Sequence, residues 1–322
     1  MVLKSFEFRV NRVTFFFRAD RAAICSKYDP FCVNKNAAYP EGTPAKWNSF
    51  AKNKYKLPPA PKHLGASIVE LQQVDSTNNY ATALAHAGLA EHGTAVLARE
   101  QTAGKGQRHK GWSAAPGANI TMSLVLQPAV LFGKEPVALS AADAFRFSAA
   151  VALGVQRFFA AHAGEETFVK WPNDLYWRDR KAGGILIENI LSGPDWKWAV
   201  VGTGININQS DFGDLSGRAV SLRQITGRDW AIDALARELC AALEASLSRL
   251  ASDPAGILED YHAVLFAKGE TVRFRKGSRT FSAEVLGVTD DGRLRLWHGL
   301  EEAYAVGEVE WVWPLPPLRP IP

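Results

Sequence analysis

Cysteine is scarce in this chain of 322 residues. Cys25, Cys32 and Cys240 are too few and too scattered for a disulfide framework or for a zinc site of standard spacing. Because disulfide-poor proteins are typical of reducing compartments, a cytoplasmic location is the simplest interpretation.

Long apolar segments are also missing. No stretch approaches the roughly 20 uninterrupted apolar residues that span a bilayer, and no apolar segment is followed by a small-residue cleavage site. We therefore expect neither a membrane protein nor a secreted one. Hydrophobic residues make up 47% of the chain, which excludes a wholly disordered or collagen-like protein. Since one domain takes about 100–200 residues, the length predicts two domains.

The body of the chain lacks an excess of positive charge. Residues 1–65 contain 12 Lys and Arg against 4 Asp and Glu, whereas the remainder contains 25 against 29. The net charge of +4 therefore comes from the N-terminal part. A slightly acidic body argues against a broad basic face that grips nucleic acid, so no DNA partner is expected.

The composition divides the chain into four parts. Residues 1–65 combine basic residues with six prolines and no sustained periodicity, which predicts a poorly ordered extension. A basic tail, a targeting segment and a start codon assigned too far upstream stay open as its origin. Residues 66–266 are predicted to form the main domain and residues 267–313 a small β-domain. Residues 314–322 form a proline-rich tail.

Strand and helix patterns alternate from residue 66 onward, which favours an α+β fold. Apolar alternation predicts strands at residues 67–71, 94–98, 119–126, 168–171, 184–188 and 198–207. Spacings of three and four predict helices at about 76–89, 140–161 and 232–250. Short strands at 270–275, 279–288, 293–297 and 301–307, separated by turns such as Asp291–Gly292, predict a small β-barrel.

Two polar segments have the composition of anion-binding sites. Residues 74–78 lie where a predicted strand leads into a helix, whose free N–H groups attract carboxylates and phosphates. Residues 101–112 form a glycine-rich loop with three cations and Trp112. This loop fits neither the P-loop nor the dinucleotide fingerprint. A plain helix cap and a solvated turn are the competing structural interpretations.

Two further segments combine special residues with predicted strands. The sequence Lys-Trp-Pro-Asn-Asp at residues 170–174 is followed by Lys181, which precedes an apolar strand and is poorly solvated without an anion. Glycines interrupt the strand at residues 201–208, and such glycines indicate close approach of a ligand or backbone. A hairpin turn and a β-bulge are the competing interpretations.

Together, the four segments resemble the catalytic domain of the biotin protein ligases. That family has an Asp-Ser-Thr-Asn turn, a Gly-Arg-Gly-Arg-type loop followed by Trp, Lys-Trp-Pro-Asn-Asp, Lys-x-x-Gly-Ile-Leu and Gly-x-Gly-Ile-Asn. All five occur here in the family's order, within residues 67–312. The resemblance implies an α+β fold related to class II synthetases, with a mixed, largely antiparallel central sheet flanked by helices. It also implies an SH3-like C-terminal β-barrel. Residues 1–65 show no helix-turn-helix pattern, so the ligase-only class without a DNA-binding domain is expected.

The resemblance implies ATP-dependent biotin ligation. The biotin carboxylate attacks the α-phosphate of ATP and gives biotinyl-5′-AMP and pyrophosphate, and a lysine of a biotin carboxyl carrier protein then accepts the biotin. Because two anions must meet, cations and Mg²⁺ are expected at the site. Neither an enzyme nucleophile nor a set of protein metal ligands is predicted. Homodimer formation stays open.

The resemblance also assigns roles to individual residues. Lys181 would bridge the biotin carboxyl group and the phosphate, with Arg108 and Lys110 as further catalytic cations. The biotin-binding residues would be Ser76, Thr77, Asn78, Gln101, Gly104, Lys105, Gly106, Gln107, Lys181 and Gly184. The nucleotide-binding residues would be Lys105, Gln107, Arg108, Lys110, Trp112, Lys170, Asn173 and Asn206, with Trp112 stacked on adenine.

The glycine loop departs from the family pattern at two positions. Gln107 stands where the best-known members have their second arginine, and His109 replaces a small residue. Because a neutral glutamine cannot pair with a phosphate charge, either Arg108 or Lys110 substitutes, which we expect, or biotinyl-AMP leaves the site faster than in arginine-bearing relatives. The sequence does not distinguish the two cations.

Two other functions compete with biotin ligation. Ligases for lipoate or octanoate share the superfamily, but the Asp-Ser-Thr-Asn and Lys-Trp-Pro-Asn-Asp segments favour biotin. A non-catalytic module that binds biotin or a nucleotide is the second alternative, and the presence of Lys181 argues against it.

Overall fold

The computed structural model describes residues 5–10, 13–18, 63–130, 139–193 and 195–314. The chain divides into two compact units, Met1–Pro59 and Ala60–Pro322. In the first unit, strands β1 (Ser5–Val10) and β2 (Val13–Arg18) pair antiparallel. The rest of the extension, which we expected to be poorly ordered, lies outside the described residues. The tail beyond residue 314 also lies outside them.

A seven-stranded mixed sheet forms the centre of the second unit. Its strands in chain order are β3 (Ile68–Val74), β4 (Thr94–Gln101), β5 (Ile120–Leu126), β6 (Thr167–Lys170), β7 (Asp174–Trp177), β8 (Arg180–Ser192) and β9 (Asp195–Ile205). The spatial order is β3-β4-β5-β9-β8-β7-β6. Of the described pairs in this sheet, β3 and β4 run parallel and the others antiparallel. Strand β5 is buried along its whole length, which explains its nearly continuous apolar sequence.

Helices cover both faces of this sheet. They are α1 (Thr77–His86), α2 (Ala144–Ala163), α3 (Leu222–Thr226), α4 (Ile232–Ser252) and α5 (Pro254–Ala263). Helices α2 and α4 share the main apolar core with the sheet, whereas α1 packs through Ala81 and Ala85 against the opposite face. Helix α2 approaches α4 closely at Gly154, where an added Cβ would lie 3.0 Å from the Cα of Leu243. Within the described part of the chain, every helix is too short or too polar to cross a bilayer.

The C-terminal strands form a second, antiparallel sheet. These strands are β10 (Thr271–Lys276), β11 (Arg279–Val288), β12 (Leu294–Trp297), β13 (Glu301–Tyr304) and β14 (Glu310–Trp311). Their order is β13-β12-β11-β10-β14. The two residues of β14 pair with β10 and leave β13 at the far edge, so the sheet is not closed into the expected barrel.

The C-terminal sheet packs on the main domain within one compact unit. The indole Nε1 of Trp171 donates to the carbonyl oxygen of Gly292 at 2.9 Å. The ring of Phe266 contacts the ring of Trp311, with centroids 5.8 Å apart. These contacts bring the C-terminal segment beside the turn between β6 and β7. The predicted α+β architecture is confirmed.

Candidate active site

A cavity of about 520 Å³ lies between the central sheet, the glycine-rich loop and the C-terminal sheet. Its walls come from the start of α1, residues 105–112, the β6–β7 turn, the beginning of β8, residues 215–219 and residues 306–313. The cavity therefore gathers segments from distant parts of the sequence into one site.

A buried polar network forms one end of the cavity. The amide carbonyl oxygen of Gln101 accepts from the backbone N–H of Thr77 at 2.8 Å and from its hydroxyl at 3.1 Å. The hydroxyl of Ser123, on β5, donates to Asn78 at 2.6 Å and lies 2.7 Å from the hydroxyl of Thr77. The amide of Asn78 in turn donates to Glu188 at 2.8 Å. Because these groups bind one another, they are fixed before any ligand arrives. We call this network the polar wall.

The glycine-rich loop folds back on itself. The N–H of Gly106 donates to the carbonyl of Lys110 at 2.7 Å, and the N–H of Trp112 donates to that of Gly104 at 2.9 Å. An added Cβ at Gly104 would lie 2.3 Å from the carbonyl oxygen of Trp112, so the loop requires glycine there. The ammonium of Lys105 lies 3.4 Å from a carboxylate oxygen of Glu188. The loop is thus tied to the polar wall.

The indole of Trp112 packs directly against β9. An added Cβ at Gly204 would lie 2.5 Å from the indole ring, which explains the glycine that interrupts this strand. The indole Nε1 is buried and has no hydrogen-bond partner among the described residues. The ammonium of Lys181 lies 6.0 Å from the ring centroid. Trp112 therefore lies close to both β9 and the ammonium of Lys181.

Arg108 connects the loop to the C-terminal sheet. Its backbone is left-handed, with φ 56° and ψ 44°, a conformation that costs a non-glycine residue about 1–2 kcal/mol. Its guanidinium packs over Gly307, where an added Cβ would lie 3.0 Å from Cζ. The pKa of Glu310 is lowered by its hydrogen bond to Arg275, with smaller contributions from Lys110 and Arg108.

Lys181 and Asp174 form an ion pair on the cavity wall. The ammonium nitrogen lies 2.6 Å from the carboxylate oxygen, and both side chains are partly exposed. The backbone N–H of Lys181 donates to Arg218 at 2.8 Å, and its carbonyl accepts from Val220 at 2.9 Å. These bonds fix the backbone that carries the lysine.

Asn206 acts on this backbone and not on the cavity. Its side chain is buried and donates to the carbonyl oxygens of Lys181 at 3.3 Å and Val220 at 3.1 Å. It is not part of the cavity lining. The resemblance implied a nucleotide contact for Asn206, whereas the structure gives it a positioning contact with the Lys181 segment.

Lys170 is a buried cation at the other end of the cavity. Only 8% of the residue is exposed, and its ammonium lies 5.2 Å from the ring centroid of Tyr176 and 4.8 Å from that of Trp311. It forms no ion pair with a described carboxylate. The pKa of Lys170 is lowered to about 8, mainly by burial; Asp174 opposes this shift, and Lys181 and Lys110 contribute to it.

Most residues singled out in the sequence meet in this cavity. The lining includes Ser76, Thr77, Asn78, Gln101, Lys105, Gly106, Gln107, Arg108, Lys110, Trp112, Lys170, Asn173, Lys181 and Gly184. Gly104 and Asn206 lie behind it. The side chain of Asn173 donates to the carbonyl of Ile185, which holds the β6–β7 turn against β8.

Several lining residues had no assigned role in the sequence analysis. They include Asp174, Tyr176, Arg218, Gly307, Trp311 and Trp313. The guanidinium of Arg218 lies 5.6 Å from the ring centroid of Trp313. Asp174 belongs to the Lys-Trp-Pro-Asn-Asp motif, so the sequence could have identified it as a site residue. Trp311 and Trp313 reach the cavity only because the second sheet packs on the main domain.

Comparison with known proteins agrees with this architecture. Residues 70–206, which span β3 to β9, match the biotin/lipoate A/B protein ligase family. The biotin protein ligase from Aquifex aeolicus, solved in complex with biotin and ATP, has a TM-score of 0.63 and 22% identity. That match covers 77% of this chain and 99% of the Aquifex chain. It therefore establishes a shared fold.

Two relatives extend the comparison to sequence. The bifunctional ligase/repressor BirA of Bacillus spizizenii is 31% identical over 250 residues, which are 75% of this chain and 73% of that protein. The biotin–[acetyl-CoA-carboxylase] ligase of Paracoccus denitrificans is 41% identical over 138 residues, or 42% of this chain and 53% of that protein. From the matched domain and the similarity over three quarters of its length, the chain belongs to the biotin/lipoate A/B protein ligase family.

Proposed function

We propose that the protein is an ATP-dependent biotin ligase, which forms biotinyl-5′-AMP and transfers biotin to a lysine of a biotin carboxyl carrier protein. One observation carries the proposal: the Lys181 ammonium lines a single cavity with the polar wall at one end and further cations at the other. Such a cavity suits a neutral, hydrogen-bonding ring at one end and phosphates at the other.

The polar wall has the chemistry to bind the ureido ring of biotin. That ring offers two N–H donors and one carbonyl acceptor. The wall presents the hydroxyl of Thr77 and the amides of Asn78 and Gln101 to the cavity, and the buried Ser123 orients Thr77 and Asn78 from behind. A site that hydrogen-bonds a ring in this way discriminates strongly against an analogue without those groups. The wall therefore favours biotin over the aliphatic tail of lipoate.

The cations promote attack of one anion on another. The biotin carboxylate and the α-phosphate repel each other, and Lys181 offsets this repulsion from a partly buried position. Its ion pair with Asp174 and its fixed backbone hold the ammonium in place before substrates bind. The carboxylate is itself the nucleophile, so no enzyme nucleophile is needed.

The residues present fit a magnesium ion that arrives with ATP. The described residues contain no cluster of three or more His, Cys, Asp or Glu side chains, and the carboxylates that line the cavity are Asp174 and Glu310. Because Mg²⁺ is commonly held by one or two carboxylates together with substrate phosphates, Asp174 is the side chain that we assign to it. When bound, the ion would neutralise phosphate charge.

The location and assembly of the protein are also part of the proposal. The low cysteine content supports a reducing, cytoplasmic compartment. We also propose that the protein forms a homodimer and that it does not bind DNA. Sedimentation with and without biotin and ATP tests the dimer, and titration with duplex DNA tests the absence of binding.

The decisive experiment incubates the full chain with biotin, Mg·ATP and an isolated biotin carboxyl carrier domain. Biotin ligation adds one biotinyl group to the carrier lysine and releases AMP, both detectable by mass spectrometry. Modification with lipoate in place of biotin would instead identify a lipoate ligase. Biotin binding without AMP release would identify a non-catalytic module. The Lys181→Gln variant provides the inactive control.

A further inference from the structure

Glu188 has no part in the chemistry described so far, although it contacts two residues of the site. It lies on β8, and its side chain is partly exposed. One carboxylate oxygen accepts from the amide of Asn78 at 2.8 Å, and the other lies 3.4 Å from the ammonium of Lys105. Because an ionised carboxylate only accepts hydrogen bonds, Glu188 determines which end of the Asn78 amide faces it.

The amide of Asn78 is therefore held in one orientation. Its Nδ2 donates to Glu188 and, at 3.3 Å, to the carbonyl oxygen of Leu186. Its Oδ1 consequently faces the hydroxyl of Ser123 at 2.6 Å. An added Cβ at Gly202 would lie 2.2 Å from this Oδ1, so the glycine leaves room for the amide. With both of its N–H groups used, Asn78 transmits the direction set by Glu188 to Ser123.

The hydrogen atoms of two hydroxyls follow from this orientation. Ser123 is fully buried, and its one hydroxyl hydrogen goes to Oδ1 of Asn78. In its 2.7 Å contact with Thr77, Ser123 therefore accepts. The hydroxyl hydrogen of Thr77 is directed to protein acceptors, which are Ser123 and the carbonyl oxygen of Gln101 at 3.1 Å. Thr77 thus offers the cavity an oxygen that accepts a hydrogen bond.

Gln101 has the complementary direction. Its Oε1 accepts from the backbone N–H of Thr77 at 2.8 Å, and a backbone N–H can only donate. The other end of the amide, Nε2, is therefore a donor, and it lies beside Gly104, where an added Cβ would be 2.9 Å away. The polar wall offers an acceptor at Thr77 and a donor at Gln101, which complement the N–H and the carbonyl of a ureido ring.

We propose that Glu188 is the positioning residue that fixes this donor–acceptor pattern, so that Thr77 accepts an N–H of the ureido ring. The inference rests on the proposed function. Glu188 does not line the cavity and acts through Asn78 and Ser123. Without a strict acceptor at position 188 the Asn78 amide can turn over, and Ser123 then donates to Thr77. The hydroxyl hydrogen of Thr77 is released toward the ligand, where it opposes the N–H of the ring.

The first experiment measures biotin binding by calorimetry in the absence of ATP. Glu188→Gln keeps the size of the side chain but can donate as well as accept, so we expect the Kd for biotin to rise about tenfold. Desthiobiotin keeps the ureido ring and lacks the sulfur, so its affinity should fall by the same factor.

Steady-state kinetics and a matched variant complete this experiment. In Glu188→Gln the KM for biotin should rise about tenfold, while kcat and the KM for ATP stay at wild-type values, as expected when only ground-state binding is lost. Glu70→Gln is the control, because Glu70 is a partly exposed glutamate of the same sheet, on β3, that pairs with Arg99 at 3.4 Å. It should keep the wild-type Kd for biotin.

The second experiment interrupts the chain between Asn78 and Thr77. Ser123→Ala is expected to weaken biotin binding by only about threefold, because Thr77 still donates to Gln101. In the Ser123→Ala background, Glu188→Gln should cause no further loss, since residues that act through one another are not additive.

The outcomes separate the inference from the proposed function. An unchanged Kd for biotin in a Glu188→Gln variant that is folded by circular dichroism would overturn the inference, as would additive losses in the double variant or an unequal loss for desthiobiotin. Faster dissociation of biotinyl-AMP at unchanged biotin affinity would instead assign Glu188 to the glycine-rich loop through Lys105, and would also overturn it. A wild-type protein that neither binds biotin nor forms biotinyl-AMP would refute the proposed function itself.

Discussion

The ammonium of Lys181 lies 2.6 Å from the carboxylate of Asp174, and both side chains line the cavity. Asp174 is also the register partner of Lys170, whose charged form it stabilises. One carboxylate therefore orients the first lysine and partly compensates for the burial of the second. Because two lysines share this carboxylate, this part of the cavity lining keeps an excess of positive charge, which suits a triphosphate.

Lys181→Gln is expected to abolish adenylate formation. Removing a preorganised cation from a site where charge must be stabilised costs about 2.7–4 kcal/mol, or roughly 100- to 1,000-fold in rate. The measurement is biotin-dependent exchange between pyrophosphate and ATP, together with circular dichroism as a check on folding. Lys197→Gln removes an exposed lysine paired with Asp195 at 3.2 Å and should exchange normally. Turnover near the wild-type level by a folded Lys181→Gln variant would refute the role of this lysine.

The pKa of Lys170, lowered to about 8 mainly by burial, predicts a pH dependence. The ammonium attracts phosphate and the neutral amine does not, so kcat/KM for ATP should fall as the pH rises through about 8. Of the groups that face it, Asp174 stabilises the ammonium, Lys181 and Lys110 destabilise it, and burial raises the pKa of Tyr176 well above its usual range.

The Lys170→Arg variant tests whether Lys170 causes this pH dependence of kcat/KM for ATP. Arginine stays protonated throughout the accessible range, so the decline above pH 8 should disappear, while kcat/KM for biotin keeps its wild-type profile. A decline that persists in Lys170→Arg would show that another group controls the dependence.

Sequence patterns predicted several long elements of the fold, although they missed helix α5 and gave only the middle of β8. The helix expected at residues 232–250 is observed as Ile232–Ser252, and the strand at 279–288 as Arg279–Val288. The sequence analysis missed β7, which is four residues long, and β14, which has two. Such strands are too short for alternation to be visible, and neighbouring strands define them by pairing. The expected barrel failed for the same reason, because closure depends on long-range pairing.

The candidate site was predictable where it is local in sequence. Gln101 and Lys181 belong to short motifs, and the structure brings both to the cavity. Trp311 and Gly307 were missed because they approach the cavity only when the second sheet packs on the first domain. Asn206 belongs to a motif as well, but the structure places it behind the cavity, where it supports the backbone of Lys181.

Deletion of the N-terminal extension is expected to leave activity and Tm unchanged only if residues 63–65 are retained. Leu64 is 5% exposed, its N–H donates to Glu244 at 2.8 Å, and the N–H of Gly65 donates to Gly93 at 2.9 Å. Deletion of residues 1–62 keeps these contacts and should preserve activity and Tm.

Deletion of residues 1–65 removes them. Burial of a leucine side chain contributes about 1.5–3 kcal/mol, so this longer deletion should lower the Tm by roughly 5 °C. Differential scanning calorimetry of both truncated chains makes the comparison. Loss of activity in the shorter deletion would show that the extension supports the catalytic unit.

In the glycine-rich loop, Gln107 occupies a position where the best-known biotin protein ligases have arginine. A charged hydrogen bond to phosphate contributes about 1.5–3 kcal/mol, against about 1 kcal/mol for a neutral one. Gln107, Arg108 and Lys110 all line the cavity, and the guanidinium of Arg108 packs over Gly307. Lys110 is therefore the neighbouring cation that we expect to hold the phosphate of biotinyl-AMP.

If Lys110 supplies the charge that holds the phosphate, Lys110→Ala and Gln107→Arg should change the dissociation rate of biotinyl-AMP by different amounts. Lys110→Ala should speed the dissociation of biotinyl-AMP about tenfold, whereas Gln107→Arg should slow it by no more than about threefold, because the charge is already supplied. A chase of bound biotinyl-AMP with excess biotin measures both rates, and biotin labelling of a bystander protein reports the released adenylate. The opposite result, in which Gln107→Arg slows release tenfold and suppresses bystander labelling, would mean that the wild-type loop lacks a phosphate cation and releases its intermediate readily.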